Sequence, residues 1–295
     1  MSEMTVPTTT SIEAAAARTV RPRLWRRLLH RPIAVVALIL LLVMAGAALL
    51  APVLAGDPNA FVAVERLRPP SATHIFGTDN LGRDVYSRTV FGAQASLTVG
   101  VVTAVITTAI GVVLGILAGM FRWFDAVVMR IVDGVMSFPI IVLALAMTAI
   151  LGPGLGTVIL AMTIVFVPGM TRVVRSSALV ASELPMVDSA RAIGAGSIRI
   201  FWRYILPQAT TPVLVQAAIT FTTAVLVESA LSFIGAGLPP NVPSWGASLS
   251  EARSYLTSAV WMWGFPGLAL ILTVLAMNIV IDNVRDILDP RAGGR

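Results

Sequence analysis

Two residue types are missing from this chain altogether. It has no cysteine, and all 21 of its Lys/Arg positions are arginine. Without cysteine there is no disulfide, no thiol nucleophile and no thiolate metal ligand. Without lysine there is no P-loop, whose lysine holds the nucleotide phosphates, so the chain is not itself a P-loop ATPase. The two histidines, His30 and His74, flank the first long apolar run and cannot build a metal cluster or a Ser-His-Asp triad. No catalytic residue and no metal site is expected. Charge is also scarce, at 12% of residues against about 25% in ordinary globular chains. With 57% hydrophobic residues and a mean hydropathy of +0.87, the composition is that of an integral membrane protein.

What is present is a series of apolar runs. Arg18, Arg21, Arg23, Arg26, Arg27 and Arg31 precede the first, over 32–54. That start resembles a signal peptide, but the run is long enough to cross about 30 Å of hydrocarbon and reads as a retained span. Further runs cover 97–120, 127–151, 156–174, 211–234 and 259–281, which makes six spans and places both termini on one side. Sixteen of the 21 arginines share the side of the termini, and by the positive-inside rule that side is cytoplasmic. The expected division is a basic cytoplasmic tail over 1–31 and a first span with its extracytoplasmic segment over 32–94. A five-helix core follows over 95–284, then a C-terminal tail over 285–295. Within 32–94, the run from Asp79 to Asp84 lacks the alternating oxygen ligands of a calcium loop. It reads as a capped turn leading into a surface helix. Gly111, Gly115 and Gly119 form a small-residue ridge suited to close helix packing, and Pro139, Pro168 and Pro266 are expected break points.

The longest polar interval between apolar runs is 183–207, which reads as two short helices joined at Gly194 and Gly196. Met186, Ala190 and Ile193 share one face of the first helix, and Asp188 and Arg191 lie on another. Ser197 is placed to cap the second helix. There Ile198, Phe201, Trp202 and Ile205 follow i, i+3, i+4, i+7, Arg199 and Arg203 oppose them, and Pro207 is expected to end it. An Arg-bearing helix–turn–helix is also a DNA-binding pattern, but flanking spans this close argue against nucleic acid; an amphipathic helix lying on the membrane surface is the plainer alternative. Arg130 and Asp133 are spaced as a local ion pair. Glu228 lies inside the fifth run, where a charge costs on the order of 3 kcal/mol. It should therefore face a polar cavity or a partner subunit, or serve as a proton site.

The 183–207 interval carries a resemblance. Asp188-Ser189-Ala190, Gly194 and Ile205-Leu206-Pro207 are similar to the EAA loop of binding-protein-dependent ABC importer permeases, with Asp for Glu and Ser for Ala. The resemblance widens to GTDNLGRDVYSR at 77–88, PGMTRVVR at 168–175, ESALSFIGAGLPPNVPSWGASLSEARSYL at 228–256 and WGFPGLALILTVLAMNIVIDNVRDILDPR at 263–291. These blocks are similar to the C-type permease subunit of dipeptide and oligopeptide importers, the OppC/DppC type. The family also takes in nickel, glutathione and opine importers. The resemblance implies an all-α integral membrane fold, the six-helix type I (MetI-like) importer bundle, in the bacterial inner membrane with cytoplasmic EAA coupling helices. It further implies a second permease subunit, two ATP-binding subunits and an extracytoplasmic binding protein. Peptide is the implied substrate, and no cofactor is implied in this chain, since ATP binds the partners. Asp188, Ser189, Ala190, Arg191, Gly194, Leu206 and Pro207 are then the expected ATPase-coupling residues. A proton-coupled transporter working through Glu228 is the alternative from another class.

Overall fold

The computed structural model describes residues 31–288. Within them the chain is helical apart from turns and one isolated bridge between Thr78 and Asp84. The helices are α1 (Pro32–Leu49), α2 (Ala51–Leu54), α3 (Val85–Met120), α4 (Arg122–Met136), α5 (Ile140–Leu151) and α6 (Leu155–Ser182). Then come α7 (Pro185–Ala192), α8 (Ser197–Ile200), a π turn (Phe201–Ile205), α9 (Leu206–Phe233), α10 (Trp245–Glu251) and α11 (Trp261–Leu288). The arginine cluster up to His30 lies outside the described residues.

Five helices, α1, α3, α6, α9 and α11, are long and apolar enough to cross a membrane. Helices satisfy their own backbone groups, which hydrocarbon cannot do for them. α4 and α5 reach that length and apolarity only together, bent by 90° between them, as one broken span or a re-entrant pair. Pro139 sits at that bend as the residue before α5, having no N–H to continue the ladder. Pro168 and Pro266, also expected as breaks, instead lie inside α6 and α11. The turn at 79–84 does not lead into a surface helix. Asp84 accepts a hydrogen bond from the Ser87 backbone N–H and caps the 36-residue α3, so the division expected at 94/95 falls within one continuous helix.

α3 packs most extensively against α6, along the glycine ridge. A Cβ on Gly111 would stand 2.5 Å from Met170 Cγ, and one on Gly115 would stand 2.6 Å from Val174 Cβ. α9 lies across both helices and closes the core around Val99, Met162 and Leu231.

At one end of the bundle, Arg31 reaches Asp286 at 2.8 Å and Asn283 at 3.0 Å, so the start of α1 meets the end of α11. On the same end Asp133 pairs with Arg172 at 2.6 Å, not with Arg130. The partner is one helix away because α4 presents Asp133 to α6. Asp125 and Arg175 form a second bridge of this kind.

At the other end, residues 56–84 are clamped to the 235–260 connection. Arg83 joins Asp79 at 2.6 Å and Glu251 at 2.5 Å, and Arg88 joins Glu251 at 3.1 Å. Trp245 is fully buried and donates to the Thr89 carbonyl, while Trp261 donates to that of Thr78.

Candidate functional site

The 183–207 loop begins at Pro185, which opens α7 with its fixed φ. Asp188 in the first turn and Arg191 in the last complement the helix dipole and face each other at 3.4 Å on the exposed side. The Ser189 hydroxyl donates to the Pro185 carbonyl and is satisfied within the helix. α7 ends in a Schellman motif: the Gly194 N–H bonds the Arg191 carbonyl and the Ala195 N–H bonds that of Ala190, both at 3.0 Å. Gly194 supplies the required left-handed backbone at φ +84°.

The buried face of α7 is Val187 and Ala190, seated on Ala178 and Ala181 at the end of α6 and on Phe201 and Ile205. That differs from the expected face. Met186 is 48% exposed and Ile193 85% exposed. Trp202, expected to pack inward, is 64% exposed. The loop has two apolar surfaces, one against its own bundle and one open. Exposed apolar side chains with charges beside them suit a contact with another protein or with the membrane surface.

Pro207 does not end the second helix. Residues 197–233 stay helical through it, the Leu206 N–H bonding back five residues to the Phe201 carbonyl, and Pro212 also lies inside α9. This π turn widens the helix just before the proline ring, which has no N–H to place. Helix α8 starts at Ser197 itself, which is therefore the first helical residue. Among the expected coupling residues, Ala190 and Leu206 meet in one cluster. Asp188, Ser189, Arg191, Gly194 and Pro207 stay on the exposed side. Val187, the seat of the helix, was not singled out in the sequence, where its spacing to Ala190 is the only signal.

Glu228 is fully buried. Its carboxyl group accepts hydrogen bonds from Ser96 at 2.8 Å, Ser232 at 2.7 Å and Ser229 at 3.4 Å. The loop after α9 folds back over these serines: Leu238 N–H donates to Ser232 Oγ. A Cβ on Gly246 would stand 2.3 Å from the Ser229 carbonyl oxygen. Glu228 therefore faces hydroxyls of its own chain, and among the described residues no cation pairs with it.

Five helices of span length, a bent sixth pair and a helical knob at one end are the architecture of a polytopic membrane protein. Residues 111–294 match the family model "Binding-protein-dependent transport system inner membrane component", and residues 23–70 match the N-terminal TM domain of oligopeptide transport permease C. The chain belongs to the binding-protein-dependent transport system inner membrane component family. It is 43% identical over 267 residues to a transport system permease protein of Brucella suis, covering 90% of each chain. To the dipeptide transport system permease protein DppC of Alkalihalophilus pseudofirmus it is 40% identical, covering 90% of this chain and 88% of the other. To the glutathione transport system permease protein GsiD of Pectobacterium atrosepticum it is 38% identical, over 95% and 94%. The fold matches a permease chain in inward-facing structures of the MetNI methionine ABC transporter, with a TM-score of 0.55 at 22% identity, over 68% of this chain and 97% of that one.

Proposed function

We propose that this chain is one of two permease subunits of an ATP-driven importer of peptides in the bacterial inner membrane. The observation that carries the reading is helix α7, seated by Val187 and Ala190 while Met186, Ile193 and the Asp188–Arg191 pair stay open. That is the form of a knob for a cleft on a separate protein. In this reading two ATP-binding subunits grip it from the cytoplasm, where both termini also lie. The permease hydrolyses nothing and carries no cofactor, since ATP is bound by the partners. The clamped face formed by 56–84 and 235–260 then receives an extracytoplasmic binding protein. Peptide is favoured as cargo because relatives across nearly the whole length are named for peptide chemistry, a dipeptide and glutathione among them.

The test is co-purification with a second permease and two ATP-binding chains, then reconstitution with the binding protein. ATP-driven uptake of di- and oligopeptides is expected. Proton-driven uptake by vesicles containing this chain alone would overturn the reading and move the function to Glu228.

A further inference from the structure

A cavity of about 320 Å³ lies between the α4–α5 bend and helices α6 and α9. Phe138 lines it from the bend, Gly169 from α6, and Gln216, Thr220 and Thr223 from α9. None of its lining residues is ionisable. The three polar residues recur at spacings of four and three, one stripe of α9, and they straddle the middle of its 28 residues.

Thr220 lies in the cavity wall. It is 1% exposed, and its hydroxyl has no partner among the described residues. Thr210, Thr222 and Thr223 on the same helix each donate to the carbonyl four residues back. Thr103, Thr107, Thr108 and Thr163 are likewise unpaired among the described residues, so the polar group open to a guest in this cavity is the part-exposed Gln216. Gly169 keeps the wall opposite Gln216 low: a Cβ there would stand 3.8 Å from Gln216 Nε2.

We propose that this cavity is a station on the transport path and holds the backbone of a passing peptide. The Gln216 carboxamide, part-exposed to the cavity, offers one acceptor and two donors, which complement a peptide group. Apolar walls accept side chains of varied shape, and the lack of charge leaves peptide termini unread at this point. The volume is at the small end of the range for ligand pockets. This assignment rests on the importer reading above.

The natural absence of cysteine gives a clean background for testing it. In the reconstituted assembly, Gln216→Cys is expected to react with a water-soluble maleimide, and transported peptide should slow the reaction at least fivefold. Leu226→Cys, on an exposed part of the same helix, is expected to stay unreactive, because a thiol in hydrocarbon does not ionise. Gln216→Leu should lower peptide uptake about fivefold at unchanged assembly, the loss of one hydrogen bond. If Gln216→Cys is as inert as Leu226→Cys, or reacts without protection by peptide, while uptake proceeds, the cavity is not on the path. Absence of peptide uptake by the unsubstituted assembly would instead overturn the importer reading.

Discussion

The Ser96 hydroxyl donates a 2.8 Å hydrogen bond to Glu228, 132 positions further along the chain. With Ser229 and Ser232 it forms a cup of hydroxyls that lets a carboxyl group sit between α3 and α9. Glu228→Gln keeps the shape, and the serine hydroxyls can rotate to accept from its amide. Assembly should be retained, with ATP-driven uptake reduced but present. Glu228→Leu leaves the hydroxyls facing a methyl group, at about 1–3 kcal/mol for a buried unpaired group, so assembly yield should fall. Complete loss of uptake in an intact Glu228→Gln assembly would assign the carboxyl group a role in the path instead.

Gly194 has open space where a Cβ would stand, yet its φ is +84°. Substitution there is therefore a backbone question. Gly194→Val places a β-branched residue in the left-handed region, at about 1–3 kcal/mol. Gly194→Asn, which tolerates that region, should be mild. The expected result is a membrane-inserted valine variant without uptake and with weakened stimulation of ATP hydrolysis, and an asparagine variant near normal. Equal coupling in both would show that the cap geometry of α7 does not matter.

Both ring nitrogens of His74 face carboxylates, Asp84 at 3.1 Å and Glu65 at 3.0 Å. A neutral imidazole has one N–H and so leaves one of these contacts without a proton. The hydrogen bond to Asp84, followed by that to Glu65, raises the His74 pKa above its ordinary 6.5 against the opposing effect of burial. The stabilisation is then complete below about pH 6.5 and is lost as pH rises through the raised value. Thermal unfolding followed from about pH 6 to 9 should show that decline in the native chain and not in His74→Gln. An identical pH slope in the two would sink the idea.

Orientation can be read by labelling. Ser71 and Ser258 are exposed at the clamped end and Ser189 at the α7 end. Ser71→Cys and Ser258→Cys should react with an impermeant maleimide in intact cells, and Ser189→Cys only after permeabilisation. Ser244 on the same connection is fully buried where it caps α10, so it cannot serve. Reaction at position 189 in intact cells would invert the topology.

The crossings were legible because apolar runs of span length have few alternative uses, and the break at Pro139 followed from proline chemistry alone. Pro207 misled for the same reason: a π turn absorbed the ring, and no local pattern announces one. Met186, Ile193 and Trp202 carry a helical apolar period, but periodicity does not say whether an apolar face meets the chain's own bundle or another protein. The contacts from Asp133 to Arg172 and from Arg83 to Glu251 were hidden because both partners are exposed to the same rule of local spacing, while the real neighbour lies on another helix. Thr220 gave no signal at all, since its meaning depends on a carbonyl it fails to bond.

The helical run from Ser197 to Phe233 joins the loop to the middle of the bundle, with a π turn and Pro212 along the way. Its far end is pinned where Glu228 meets Ser96 and the 235–246 loop, about 46 Å from Ser197 at 1.5 Å per residue. Gln216 sits about 18 Å from that fulcrum. Were the run rigid and pivoting at Glu228, a sideways displacement of about 5 Å at the loop would become about 2 Å at Gln216, and any bend at Pro212 would reduce it.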